Sequence, residues 1–544
     1  MTIPSRKQPR ATNGLIKETI TMMRPFITRT RLAGLVASLF IPLGAQAADA
    51  ELLKKIEALT QQLEQLKSQV QASQEASKQA VAAVSEVKDK VKKNEDKALD
   101  KWLTVGGDYQ FRMDSLSGET KAYTQLGMDS SGNPTYTAMP GYKPKNETMY
   151  TNRFGLNLNA KATENVSVSA RLMMYKTFGN NDDSAATGGY FADRIGVFDG
   201  TIGHIPSSNY LNVDRVYASW NNIADEGIWF SVGRRPSTNG TPAHLRQNDP
   251  RPGTGGAPAL LVDYAFDGMT LGWAPDIDEL PGAFAKICYG RGYESGFSKA
   301  LGNSLKDTDM LGVSIVPIDT DQLRFWLQWN RGMNVFDSPK LYASAWGMNM
   351  APSTNVGDID WYGVGALGTI KRVGPGELNW FADFGLSRTH PNDNTSQSMV
   401  GLGLLTGQLG AAESAKDKTG SAFYLGLRYD LPSKTKLGLE FNHGSKNWIT
   451  FSPASSDAWT SKVGTRGNVY EVYAIQELDQ KAISSRLAKA FFKLGFQVYD
   501  FQYTGSNNWM GAPVKLSDVT AATVLPMTPV SKAYNAYATF EVKF

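Results

Sequence analysis

The 544-residue sequence is 20% charged and 11% aromatic and contains 52 glycines, a profile that suits strands, turns and interfacial rings better than a helical enzyme. Its formal charge of +4 sits in the first 47 residues: they hold seven Lys/Arg and one Asp/Glu, leaving 56−7=49 basic and 52−1=51 acidic side chains. With a net charge of about −2 and no Lys/Arg cluster interleaved with aromatics beyond that point, nucleic-acid binding is excluded.

Arg24, Arg29 and Arg31 precede the apolar run Leu32–Leu43 and then Ala45-Gln46-Ala47, the layout of a secretory signal peptide over residues 1–47. Cleavage is expected before Ala48, and a start at Met22 or Met23 gives a signal of ordinary length. No later stretch approaches 18 uninterrupted apolar residues, so no membrane helix is expected after it. A barrel stays open, because its strands never register as apolar runs. The single cysteine, Cys288, excludes an internal disulfide, and neither a Cys-x-x-Cys-His haem attachment nor a zinc spacing occurs. No cofactor is expected.

Residues 48–101 read as a coiled-coil oligomerisation segment. Apolar positions step by four and three through Leu52, Ile56, Leu59, Leu63, Leu66 and Val70, pass a polar Ser73/Ser77 layer, and resume at Ala80, Val84, Val87 and Val91. Sustained heptads drive supercoiling, and this stretch makes a rod roughly 70 Å long at 1.5 Å per residue. A homo-oligomer, dimer or trimer, is the expectation.

After Trp102 the period changes from heptad to alternation. Leu103, Val105, Gly107, Tyr109, Phe111 and Met113 face one way and Thr104, Gly106, Asp108, Gln110 and Arg112 the other, and similar segments recur along residues 102–544. Short connections near 163–165, 223–226, 275–282, 317–320, 372–376, 431–434 and 478–488 alternate with long ones at about 114–148, 178–210, 236–257, 292–306, 332–357, 390–418, 446–466 and 505–532. Seven short turns and eight long loops predict an all-β, antiparallel transmembrane barrel of about 16 strands, with 14 to 18 open. The even tally treats Ala259–Ala274 as one bent strand across Asp267-Gly268. The chain closes on Tyr534, Ala536, Ala538, Phe540, Val542 and Phe544 alternating with polar residues. Phe540, Val542 and the final Phe544 resemble the signal that barrel-assembly machinery reads.

If the apolar faces meet lipid, Arg112, Arg153, Arg171, Arg215, Lys286, Arg324, Arg428 and Lys493 line the lumen, against fewer acids: Asp108, Asp383, Asp430 and Glu440. An unbalanced ring favours counter-ions, although the same charges can form ion pairs that stiffen the wall. The loop after Gly233 concentrates Arg234, Arg235, His244, Arg246 and Arg251 among Pro236, Pro242, Pro250 and Pro252. Folded inward, it would form a constriction for anionic solutes; left on the surface, it would bind lipopolysaccharide phosphates. His204, His244, His390 and His443 stand singly, so no metal site is expected. No catalytic elbow or phosphate-binding loop appears, and an enzyme is not expected.

Tyr150-Thr151-Asn152-Arg153, Gly233-Arg234-Arg235-Pro236-Ser237-Thr238, Cys288-Tyr289-Gly290-Arg291-Gly292-Tyr293-Glu294-Ser295-Gly296-Phe297 and Tyr503-Thr504-Gly505-Ser506 resemble an uncharacterised family of porin-like proteobacterial outer-membrane proteins, domain of unknown function 3373. The resemblance covers roughly Trp102 to Phe544 and implies a barrel with a porin-like role. The expected function is therefore passive diffusion of small hydrophilic solutes across the bacterial outer membrane, weakly anion-preferring, with a periplasmic N-terminal segment. Two other classes stand beside it: a plugged barrel tethering the envelope to peptidoglycan, and a sheath around a separate haem cytochrome.

Overall fold

The computed structural model describes residues 57–69, 71, 78, 102–128, 133–181, 206–235, 242–251, 260–263, 265–297, 305–337, 352–396, 401–407, 413–452, 454, 456–479, 481–484 and 488–544. The chain divides into two compact units after Lys101. In the first, residues 57–69 are helical and exposed, with Leu59, Leu63 and Leu66 at 61, 66 and 63%. The remaining seam positions, Leu52, Ile56, Val70, Val84, Val87 and Val91, lie outside the described residues, as do the signal segment and His204.

Among its described residues, the second unit contains 19 strands in chain order: β1 (Leu103–Thr120), β2 (Tyr123–Met128), β3 (Pro134–Met139), β4 (Lys145–Lys161), β5 (Val166–Thr177), β6 (Asn212–Ile223), β7 (Ile228–Arg234), β8 (Asp267–Trp273), β9 (Phe284–Tyr293), β10 (Thr308–Asp319), β11 (Arg324–Phe336), β12 (Asn355–Val373), β13 (Gly376–Pro391), β14 (Lys418–Asp430), β15 (Thr435–Gly444), β16 (Gly467–Glu477), β17 (Lys489–Phe501), β18 (Val524–Leu525) and β19 (Val530–Lys543). Sixteen of them close an antiparallel barrel, and β18, β2 and β3 form a small separate sheet. The seam joins β1 to β19 in the register Asp108↔Lys543 through Glu119↔Lys532. Gly107 and Phe544 complete it with reciprocal backbone bonds of 2.8 and 2.9 Å. Closure pairs every wall strand on both sides, as a hydrocarbon environment demands.

Alternation sorts the side chains as expected. Outward positions such as Leu494, Ile287, Leu439, Val472, Trp220, Phe423, Tyr470 and Phe492 are 44 to 61% exposed. So continuous an exposed apolar surface belongs in lipid rather than water. The inward partners are polar and buried: Gln110, Arg112 and Asp114 on β1, Glu471 on β16, Gln497 on β17, Asn535 and Glu541 on β19.

One strand departs from its expected bounds. Only Asp267–Trp273 of the stretch 259–274 joins the wall. Leu260, Leu261 and Val262 are instead buried in an apolar cluster with Trp361, Trp448 and Phe451. An apolar run next to a strand extends it only if lipid is its neighbour, and here the neighbour is other loops.

Candidate functional site

The lumen is where this barrel carries information, because its own loops occupy much of it. β7 and β8 have seven residues each, against 19 in β12, so the connection between them leaves the wall early and turns inward. Residues 242–248 are buried. Asn248 Nδ2 donates to Glu477 Oε1 at 2.8 Å, and Lys436 Nζ reaches Asn248 Oδ1 at 2.8 Å. Lys543 Nζ donates to Gln247 O at 2.8 Å and pairs with Asp249, while Arg251 pairs with Asp319. Glu477, Lys436, Lys543 and Asp319 all lie at the short-turn ends of their strands. The loop therefore reaches the rim that faces the periplasm in bacterial barrels. It returns past Asp263, whose N–H donates to Phe451 O at 2.7 Å.

Three further loops fold onto it. Leu402–Leu405, Trp448–Phe451 and Trp509–Met510 join wall residues Trp326, Val335, Ile359, Trp361, Phe381 and Tyr424 in one buried apolar cluster. Indole N–H groups tie the loops down: Trp361 to Ile449 O at 2.9 Å, Trp448 to Val463 O at 2.7 Å, and Trp509 to Phe336 O at 2.7 Å. Each bond satisfies the one polar atom of a large apolar body. This fills the sector in front of β9–β14.

Beside it sits a charged knot. Arg246 Nη1 lies 2.5 Å from Asp457 Oδ1 and 3.2 Å from Glu471 Oε2. Lys462 Nζ is 2.5 Å from Glu471 Oε2 and also pairs with Glu440. Tyr424 and Tyr537 donate to Glu440 and Glu471, both at 2.6 Å, and Gln497 Nε2 reaches Asp457 at 2.8 Å. Two cations and three carboxylates, all buried, are supported by hydrogen bonds from Tyr424, Tyr537 and Gln497, the kind of support that lets a buried ionic network persist.

The arginines expected in the lumen mostly come with carboxylates. Arg112 chelates Asp114 at 2.6 and 2.8 Å and stacks over Tyr537 at 4.4 Å. Arg171 meets Asp108 at 2.7 Å, Arg215 meets Asp214 at 3.1 Å, and Arg428 meets Asp430 at 2.7 Å. Arg324 is 3.8 Å from Asp319 and lies over Phe284, Lys493 is 2.9 Å from Glu541, and Lys286 is buried on the lumen face of β9. Two arginines differ: Arg153 donates to Ser456 at 3.3 Å, and Arg235 donates to Ser231 at 2.5 Å and to Thr270. The expected unbalanced arginine excess is thus smaller than the residue tally implied. Asp114, Asp214, Asp457 and Glu471 supply counter-charges that alternation alone did not bring forward.

Arg234 is a correction. It ends β7 on the side of Val232 and Phe230, facing outward, and pairs with Asp267 at 3.2 Å. Period two forces this, because the wall continues one residue past Gly233. The outward face above the apolar band carries other ion pairs that the sequence reading missed: Arg291–Asp309 at 2.7 Å, Arg331–Asp358 at 2.7 Å and Arg388–Asp417 at 2.9 Å. His390 bridges Asp360 and Asp417 at 3.1 and 3.0 Å. The signal was available as a switch from apolar to charged residues at outward positions near the long-loop ends. His443 contacts Asn468, and Cys288 accepts a bond from Thr270 at 3.0 Å. Among the described residues no group of His, Cys, Asp or Glu could hold a metal ion.

Among the described residues, one sector is less filled. In front of β4–β6, Asn157 is exposed, and Asn159, Ser167, Ser169, Arg153, Tyr175 and Arg215 are partly exposed on the lumen side. No member of the large apolar cluster comes from β4, β5 or β6.

Among solved structures, an anion-selective porin from Comamonas acidovorans is similar at 11% identity and a TM-score of 0.39, with 81% of this chain and 99% of that one covered. OmpT of Vibrio cholerae, in a trimer form, is similar at 13% identity and a TM-score of 0.36, with 81% and 100% covered. No curated protein matches. The family described as "Protein of unknown function (DUF3373)" matches residues 143–544, so the match begins just ahead of β4, later than the resemblance from Trp102 implied. The chain belongs to that family, and its fold is a closed antiparallel barrel of 16 strands.

Proposed function

We propose that the barrel is a restricted porin, weakly anion-preferring, whose passage for small hydrophilic solutes runs off-centre along β4–β6. The observation that carries this reading is the partly exposed polar strip of Asn157, Asn159 and Arg215, bounded by Arg153 where it meets Ser456 of an inward loop, opposite a sector packed with loops. Polar, partly hydrated walls with cations at the narrowing favour small anions over cations without a binding step. Because most lumen arginines are neutralised by partners, the preference is expected to be modest.

A second reading has its own support. The apolar cluster of four inward segments is what a plugged tethering barrel would contain. It also takes up the room that a sheathed cytochrome would need, so the conduit reading is the weakest of the three. The exposed leucines of helix 57–69 fit oligomerisation in both of the stronger readings.

The test is conductance of the refolded full chain in planar bilayers, together with Asn157→Trp and the pair Arg153→Glu and Arg215→Glu. A porin gives discrete steps, reduced by Asn157→Trp, and a reversal potential that moves toward cation selectivity in the glutamate variants. A tether gives no steps with any of them.

A further inference from the structure

At the long-loop end, the loops after β13 and β17 and the β18 segment form a half-open cavity of ≈ 250 Å³, its lining including Leu402, Met510, Val514, Thr504, Asn508 and Arg466. Arg466 is 1% exposed. Its Nε donates to Trp448 O at 3.0 Å, Nη1 to Thr504 O at 3.1 Å and Nη2 to Asn508 O at 2.6 Å. Those bonds use three of the five N–H groups of a guanidinium. All three acceptors are backbone carbonyls.

This sets Arg466 apart from most buried cations of the barrel. Arg112, Arg246, Lys462 and Lys493 are just as buried, and each touches a carboxylate. Among the described residues no carboxylate pairs with Arg466, and burial alone acts on its proton affinity, drawing the group down to about 9. A buried cation without a counter-charge is costly, and here it borders empty space. Gly505, at φ +73°, keeps that side open: a Cβ there would stand 2.9 Å from Arg466 Nη1.

The structure supplies one half of an ion pair and room for the other. A planar carboxylate matches the fork of the free N–H groups. The apolar part of the lining suits a short hydrocarbon body, and the volume, below the usual range of drug-sized sites, sets a limit of a small ring or chain. We propose that this cavity binds a small amphipathic monocarboxylate, its carboxylate on Arg466 and its body against Leu402, Met510 and Val514. The site stands apart from the permeation path, so binding can be measured in a barrel that conducts nothing.

The experiment is isothermal titration calorimetry of the refolded full chain in detergent micelles at constant ionic strength. Sodium benzoate is the probe, with benzyl alcohol and sodium chloride as comparators. Benzoate is expected to saturate, benzyl alcohol to bind at least about tenfold more weakly, and chloride not to compete. Arg466→Gln is expected to abolish benzoate binding. Ala512→Phe, which fills the cavity without touching the guanidinium, is expected to do the same with near-ultraviolet circular dichroism unchanged, and it decides the matter alone if Arg466→Gln does not refold. Linear uptake without saturation, equal affinity for benzyl alcohol, or wild-type benzoate binding in Ala512→Phe would overturn the proposal.

Discussion

Replacing Arg246 with alanine tests whether the inward loop is a latched plug. The side chain is 4% exposed and holds Asp457 at 2.5 Å and Glu471 at 3.2 Å. Removing one partner of a buried pair costs about 3–5 kcal/mol. The low end applies here, because Asp457 keeps Gln497 and the Lys462 N–H, and Glu471 keeps Lys462 and Tyr537. About 3 kcal/mol is on the order of a hundredfold change in the equilibrium between seated and released loop. The barrel wall should survive, since none of its ladder bonds involves residue 246. Single-channel recording is the assay: Arg246→Ala is expected to raise open probability or step size strongly, and Arg246→Lys to do so only slightly. Unchanged conductance in Arg246→Ala, with wild-type heat-modifiable migration on gels, would refute the latch.

His244 shares that loop, and burial, reinforced by Arg428, Arg251 and Arg324, holds its imidazole down to about 3 from an ordinary 6.5. A depressed folded-state affinity for protons means that the seat is at full strength above about pH 6.5 and weakens as pH falls. Open probability should therefore rise between about pH 6.5 and 4, and His244→Gln should flatten that part of the profile. Trp448 is fully buried and anchored to Val463. Trp448→Ala should destabilise the loop assembly by about 3–5 kcal/mol, lowering the near-ultraviolet melting temperature while far-ultraviolet strand signal persists. A Cβ on Gly107 would collide with the Gly155 carbonyl and the Phe544 ring, so Gly107→Val should reduce the folded fraction on heat-modifiability gels. Replacing Leu59, Leu63 and Leu66 with serine should lower the mass seen by light scattering if their exposed stripe is an oligomer seam; an unchanged mass would exclude it.

The wall was legible because lipid imposes a period of two on every strand. Residues such as Phe540 and Val542 declare their face without knowledge of any partner. The contents of the lumen obey no such local rule. Arg246 finds Glu471 across 225 positions, and no spacing announces that meeting. Leu260-Leu261 shows the ambiguity from the other side: an apolar run meets lipid or packed loops equally well, and only the tertiary neighbours decide. Arg234 was expected in the loop after Gly233, but the strand runs one residue further and sets it against Asp267. The arginine candidates were found by type and face, but the carboxylate that neutralises Arg246, Asp457, sits in a loop that alternation does not reach.

The central claim is that a polar passage persists beside the plug. Planar-bilayer recordings of the refolded full chain, in parallel with a variant lacking residues 242–250, test it most directly. Small discrete steps in the intact protein and larger ones in the deletion are the predicted result. An intact protein and a deletion that are both silent would contradict it.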